Sequence, residues 1–390
     1  MLEPVSVSLE SLNLGTLTPM LIAIFGALLI LIVDLIKSDT DKSLHIILTL
    51  LILLIDLGAV ASLTLNQRGF FDVMLIDGIG VLSQMIIIVA SLLFIPLAFA
   101  GKKFHEYQYP EYFAMFLFMI AGFQFMVSTD NLILIFVGLE TSSFALYTMI
   151  AMHNRERSFE AAVKYFTMGA LSAGFYAFGA MILYAVSGSV EIGEITEVMA
   201  ARGYEPILYI LVGMIFMLAS FGFKLGLVPF HTWVPDVYEG STSALAGYMS
   251  IVPKIAALVV SIRLFEFLIN SGIVWLEYML YAIVVITMTI GNIWALVQTD
   301  VKRMLGYSSI SHAGFVMAAV LIGTTQSNSA IFIYWILFLF TNLGAFSMLW
   351  INRTKVDEDS MSDHSYERYQ GLFRSNPFAA LMMGLFMLSL

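Results

Sequence analysis

Residues 206–240 read PILYILVGMIFMLASFGFKLGLVPFHTWVPDVYEG. No residue from Ile207 to Phe223 is charged, and Lys224 then stands between Gly222 and Gly226, with Pro229 five residues further on. An apolar run of this kind has the length of a bilayer-crossing helix. Proline removes a backbone donor and clashes with the preceding turn. The helix is therefore expected to break just beyond Lys224, leaving free carbonyls and a polar opening at membrane depth. Broken helices beside ionisable residues build ion sites in transporters.

The rest of the chain agrees with that class. Of 390 residues, 60% are hydrophobic and 12% charged, whereas soluble domains run nearer 45–50% and 25%. A soluble enzyme is excluded, and the apolar share could supply roughly eleven 20-residue spans. The formal charge of −10 gives no reason to expect nucleic acid as a partner; the lipid bilayer is the expected surrounding. With no cysteine, disulfides, thiolate catalysis and Cys-ligated zinc or iron–sulfur clusters drop out. Before Lys37 there are acidic residues, Glu3 and Glu10, but no basic one. A secretory signal needs a positive start, so the first apolar run is read as a retained span.

Polar clusters bound the spans at 16–36, 44–65, 76–99, 111–127, 131–152, 160–187, 206–228, 248–269, 273–298, 301–323 and 329–351. A twelfth begins near Pro377 and stops at Leu390. A half-helix in hydrocarbon leaves backbone groups unsatisfied, so a fragment of a longer protein, or cover by partner chains, is expected. Loops after odd spans carry Lys37, Lys42, Lys102, Lys103, Arg155, Arg157, Lys302, Arg303, Arg353, Lys355, Arg368 and Arg374; loops after even spans carry Arg68 and Arg202. Basic loops stay on the cytoplasmic side, which puts the N-terminus outside. Residues 188–205 are read as a linker or a short outer surface helix, and 353–375 as a polar inner loop.

Charge at membrane depth is costly and marks function by default. Glu140 lies nine residues into its span, roughly 14 Å deep, as a proton carrier or counter-ion. Lys224 is either an ion-site residue or a cation neutralising the broken helix's carbonyls; His231 is a proton relay or a polar cap on the break. Lys254 follows Pro253 and either snorkels or faces a cavity at the kink. Lys164 divides between snorkelling and relay. Arg263 and Glu266, three apart, are expected to pair, and Asp34 to be interfacial. Lys302 and Arg303 open a span continuing with Tyr307, Ser308, Ser309, Ser311 and His312, which suggests a hydrated proton file or interhelical hydrogen bonding. Gly78-Ile79-Gly80 lacks the third glycine of a dinucleotide site, and there is no Walker lysine motif, HExxH or GxSxG.

Taken in order, VGLETSSFALYTMIA, FEAAVKYFTMGALSAGFYAFGAMILYAVSGS, GFKLGLVPFHTWVPDVYEG, PKIAAL, QTDVKRMLGYSSISHAGFVM and GLFRSNPFAALMMGLFMLSL resemble the antiporter-like membrane subunits of respiratory complex I over about residues 110–390. VPDVYEG resembles one branch of that family more than its two paralogues, which usually read LPDA there. The resemblance implies an all-α polytopic fold: about eleven complete transmembrane helices, a truncated twelfth, and two inverted five-helix repeats with a broken seventh helix. It divides the chain into a three-helix segment (1–105), a first repeat (106–272, spans four to eight) and an incomplete second (273–390, spans nine to twelve).

By the same resemblance, Glu140 and Lys224 match the family's buried Glu–Lys pair, Lys254 its central lysine, Lys164 and Lys302 the sixth- and tenth-span lysines, and His231 the histidine of the broken helix; His312 extends the proton relay. The implied function is proton translocation in a NADH:quinone oxidoreductase of a bacterial inner membrane. No cofactor is expected in this chain; NAD(H), FMN, iron–sulfur clusters and quinone are expected in partner subunits, and the other membrane subunits as partners. A Mrp-type cation/proton antiporter subunit is the alternative, and a scaffold is disfavoured by the cost of the buried charges. Gly240-Ser241-Thr242-Ser243 departs from the prolines the family often has after YEG, and the family's later broken helix with its lysine lies beyond Leu390.

Overall fold

The computed structural model describes residues 12–37, 42–99, 109–270, 274–352 and 364–390. Glu3, Glu10, Lys102, Lys103, residues 353–363 of the inner loop and the expected start of the ninth span lie outside them. Helices α1 (Thr18–Ile36), α2 (Ser43–Ala61), α3 (Gly78–Phe99) and α4 (Pro110–Val127) come first. Then follow α5 (Leu132–Ala151), α6 (Glu156–Ser187), the short α7 (Ile192–Ala201), α8 (Ile207–Leu225) and α9 (Trp233–Gly240). The chain continues through α10 (Ser243–Met249), α11 (Val252–Asn270), α12 (Val274–Leu296), α13 (Val301–Ile322) and α14 (Thr325–Ile351). It closes with α15 (Leu372–Ser375) and α16 (Pro377–Ser389). Among the described residues eleven helices are long and apolar enough to cross a membrane, the number expected.

The seventh span is discontinuous where the glycine and proline put the break. Gly226 ends α8 at φ +77°, a left-handed conformation that costs other residues roughly 1–2 kcal/mol. The amide of Leu227 donates to Gly222 O at 2.8 Å and that of Gly226 to Phe223 O at 3.1 Å, the paired bonds of a Schellman end. Trp233 Nε1 adds a second donor to Phe223 O at 2.8 Å, and Val228 N donates to Thr287 Oγ1 of α12 at 3.0 Å. The expectation of free carbonyls at the break is thus corrected for Gly222 and Phe223: both carbonyls are capped. The eighth span also differs, starting at Ser243 rather than 248 and interrupted at Ser250–Ile251. Pro253, just past that interruption, lacks the amide a continuous helix would need there.

Helix α11 occupies the centre, against α3, α4, α8 and α13; residues 243–265 include an 18-residue window that is 100% buried, against 22% for α12. Helices α4 and α5 approach backbone to backbone. A Cβ on Gly122 would lie 2.7 Å from Gly138 O, so only glycine allows this contact, as is common between membrane helices.

The end of the bundle away from the basic loops carries an unexpected cap. Strands β1 (Gln67–Gly69) and β2 (Met74–Ile76) form an antiparallel hairpin, and single bridges join Met74 to Thr129 and Asn131 to Glu191. Within 188–205 the chain forms helix α7, the second of its two readings, and not a plain linker. Arg68 grips Asp130 at 2.6 and 3.2 Å and lies 4.0 Å from Glu191; Asn131 Nδ2 donates to Glu191 at 2.5 Å. Arg263 pairs with Asp77 at 3.0 Å and donates to the Val127 and Thr129 carbonyls. Arg263 thus faces the 127–131 turn; the pairing expected of it with Glu266 falls on a side chain outside the described ones.

Burial pushes the Glu191 carboxyl up to about 7; the Asn131 and Arg68 contacts oppose the shift and Asp130 reinforces it. A carboxyl whose proton is held more tightly folded than unfolded stabilises the fold below the ordinary carboxylate range. That contribution fades as pH rises through about 7. Local opening that carries Glu191 into water is therefore expected to be easier at about pH 8 than at about pH 5, with Glu191→Gln insensitive to pH. Hydrogen exchange at the Leu132 and Ile192 amides, corrected for intrinsic rate, measures it; wild-type protection that grows with pH would contradict the assignment.

Candidate functional site

Lys224 sits in the last turn of α8, where the helix dipole favours a cation. It is 6% exposed, and its Nζ donates to Ser143 Oγ of α5 at 2.5 Å. The rings of Tyr165, Phe223 and Tyr147 surround it at 5.6, 5.7 and 5.9 Å. Tyr165 is itself stacked on Trp233 at 4.5 Å, so the broken helix folds back to wall the lysine in. A void of about 10 Å³, bounded by Ser142, Ser143, Tyr165, Lys224 and Pro253, is near the smallest that admits one water.

Glu140 stands one turn before Ser143 on α5, half-buried, and its Oε1 has no hydrogen-bond partner. Among the described residues no ion pair within 4.0 Å joins it to Lys224; the two interact across space. A direct contact, the simplest form of the expected pair, is not present, because Ser143 reaches the ammonium first.

Lys254 is in the first turn of the central helix and 2% exposed. It donates to the Ser309 carbonyl and, at 3.0 Å, to Ser309 Oγ of α13; it does not snorkel. One turn along α13, His312 Nδ1 shares a hydrogen bond of 2.5 Å with Tyr334 Oη of α14, and its ring lies tilted against Phe338 at 4.8 Å. Of the polar run on α13, Ser309 and His312 make hydrogen bonds to neighbouring helices, the second of the two readings of that run. Tyr307 turns instead to Trp294 of α12 at 5.7 Å.

His231, in the turn between α8 and α9, is buried with its ring edge-on to Trp294 at 6.1 Å. Among the described residues no hydrogen bond or ion pair connects it to Lys224 or Lys254. Lys302 is 2% exposed and donates to the Glu239 carbonyl at 3.1 Å and to the Ser241 carbonyl, capping the C-terminal end of α9. Lys164 lies at the edge, not in the interior: it pairs with Glu160 at 2.7 Å and Asp236 at 2.9 Å.

Asp236 and Glu239 escaped the sequence reading as site residues. Three apart on α9, they take Arg303 between them at 2.9 and 2.5 Å, and Glu239 also pairs with Arg157 at 3.3 Å. These groups line a cleft of about 210 Å³. Their i,i+3 spacing opposite a basic loop was the available signal. Asp34 is interfacial as expected, pairing with Lys42 and, at 3.1 Å, with His45. Among the described residues no His, Asp and Glu come together as metal ligands.

The profile described as NADH:quinone oxidoreductase/Mrp antiporter, TM matches residues 129–390. NADH-quinone oxidoreductase subunit N of Sulfurimonas denitrificans is 68% identical, over 100% of this chain and 79% of its own length. A chain of respiratory complex I from Thermus thermophilus, solved with aureothin bound, superposes with a TM-score of 0.78 at 28% identity, covering 95% of this chain and 77% of that one. A chain of the Mrp complex from Dietzia sp. DQ12-45-1b has a TM-score of 0.73 at 17% identity, covering 86% of this chain and 37% of that one, a likeness of fold.

The geometry separates anchoring from screening at the basic end. Lys302→Met should cost about 2–3 kcal/mol, because two α9 carbonyls lose a charged donor away from water. Asp236→Asn should cost less than about 1 kcal/mol, its pairs being half-exposed and screened. Thermal unfolding of the detergent-solubilised protein orders the two; the reverse order would make the ion network, not the Lys302 cap, the support of α9.

Proposed function

From the family to which the chain belongs, the NADH:quinone oxidoreductase/Mrp antiporter transmembrane family and within it the subunit N relatives, we propose that it translocates protons as a membrane subunit of a NADH:quinone oxidoreductase. Electrons would flow in partner subunits carrying FMN, iron–sulfur clusters and the NADH and quinone sites, with no redox centre in this chain. The basic loops face the cytoplasm and the N-terminus the outside of a bacterial inner membrane. Spans four to eight and nine to twelve are read as the two repeats after a three-helix segment.

One observation carries the reading: Lys224 and Lys254 are buried, have no carboxylate within ion-pairing distance among the described residues, and rest on serine hydroxyls. A lysine locked to a carboxylate stays charged. A hydroxyl accepts from an ammonium; to donate to a neutral amine it turns its one proton away from the helix carbonyl it now serves, Leu139 O for Ser143 and Gly306 O for Ser309, a rotation about one bond that meets both protonation states in place. Lys224, Lys254 and His312 then form the conducting line across α8, α11 and α13. Lys302, facing only carbonyls, anchors it. Lys164 and the α9 carboxylates stand at its basic-side mouth, and His231 borders the break.

Glu140 supplies the control. Beyond 4 Å, at an effective dielectric near 20, its charge is worth at most about 4 kcal/mol to Lys224, and about a third of that would shift a proton equilibrium tenfold. A signal from the redox partners that moves or neutralises Glu140 would make Lys224 give up its proton toward Lys254.

In the assembled complex in sealed vesicles, Glu140→Ala and Lys224→Ala should each depress proton pumping driven by NADH oxidation, and Glu140→Asp should retain part of it. The double variant should lose much less than the sum, as for residues acting as one unit. Normal pumping in both single variants of a correctly assembled complex would sink the translocation reading.

A further inference from the structure

Away from the lysines, one carboxyl is buried with no cation to neutralise it. Asp56 lies on α2, five residues before its end at Ala61, and is completely buried. Gln124 of α4, equally buried, donates from Nε2 to Asp56 Oδ2 at 2.8 Å. The other carboxyl oxygen, Asp56 Oδ1, and the amide oxygen, Gln124 Oε1, are both buried and both without a hydrogen-bond partner. Among the described residues no lysine, arginine or histidine forms an ion pair with Asp56. The charged groups Asp34, Lys42 and His45 pair with one another at the opposite end of α2. From α3 the neighbouring polar group is neutral: Gln84 donates to Ser128 Oγ at 2.8 Å.

A carboxylate here would keep its full charge out of water with one oxygen unpaired, and the amide oxygen would find no donor. Both defects are costly in an apolar interior. A single proton removes both. With Asp56 neutral, its O–H donates to Gln124 Oε1 while a Gln124 N–H donates to Asp56 Oδ2, and both orphan oxygens are engaged. We propose that Asp56 is a proton-binding site of the resting protein, held as the carboxylic acid in a two-hydrogen-bond pair with Gln124 that ties α2 to α4. The pair stands on α2 and α4, whereas the conducting line stands on α8, α11 and α13, so the proposal does not depend on the translocation reading.

The test is infrared spectroscopy of the assembled complex with carbon-13 in its aspartate carboxyls. A protonated carbonyl band should shift on labelling and be missing from Asp56→Asn. Asp56→Glu, which keeps the acid but not the label, should also remove the label-sensitive band and serves if the asparagine variant assembles poorly. In Gln124→Leu the band should persist at higher frequency, because the carbonyl has lost its N–H donor. A wild-type complex with no Asp56-dependent protonated band, or with a carboxylate band that vanishes in Asp56→Asn, overturns the site. A band unmoved in Gln124→Leu overturns the pairing.

Discussion

Hydrocarbon offers no water to a backbone amide or carbonyl, so a membrane helix can be interrupted only where protein satisfies the exposed groups. That constraint governs the centre of this molecule. The interruption after Lys224 is tolerated because Gly226 takes a left-handed turn, Trp233 returns a donor to Phe223 O and Thr287 receives Val228 N. Each of these fixes something else. The turn leaves Lys224 on the terminal turn of α8, the tryptophan carries Tyr165 over it, and the threonine brings α12 against the break. Helix α9 then has a C-terminal end of its own, whose carbonyls receive Lys302. The position of the buried lysines follows from how the break is closed.

Burying a cation is costly unless it is paired and hydrogen-bonded, and the chain meets that cost in two ways. At the basic end, Lys164 and Arg303 sit among carboxylates, half-exposed, in a mesh that holds α6, α9 and α13 together. In the interior, Lys224 and Lys254 have hydroxyls and a carbonyl instead. The first arrangement fixes charge in place and suits a scaffold. The second leaves charge free to change, which a scaffold does not need. Asp56 follows a third route, with a neutral amide as partner.

The eleven spans were legible because twenty apolar residues in a row have few other readings, and the break was legible because glycine and proline act on their own backbone. Local counting left 188–205 open between a linker and the surface helix that forms at 192–201, and left Lys164 open between two roles. What stayed hidden depends on partners distant in sequence. Nothing near Arg263 indicated Asp77, 186 residues away, and nothing near Asp56 indicated Gln124. The interruption at Ser250 was read only as a kink at Pro253, since the helix could be continued past one missing amide. The hairpin at 67–76 is two three-residue strands, too short for a period of two to show. Counting along the spans pointed to Glu140 and Lys224, but periodicity says nothing of Ser143, which takes the Lys224 ammonium.

The two interruptions also set the electrostatic slope along the line. Lys224 occupies the C-terminal turn of one helix and Lys254 the N-terminal turn of another. A helix stabilises positive charge at its C-terminus and disfavours it at its N-terminus, by about 0.3–1 kcal/mol at each end. Carrying one positive charge from Lys224 to Lys254 is therefore uphill by roughly 1–2 kcal/mol from the helix ends alone, before any change at Glu140. Ser309 offsets part of this by giving Lys254 two acceptors where Lys224 has one. A small slope of this kind holds charge at Lys224 while Glu140 is ionised. The interaction that neutralising Glu140 would remove is bounded at about 4 kcal/mol beyond 4 Å, a range that spans this slope, so on the proposed line the acid can set the direction of transfer without moving a helix.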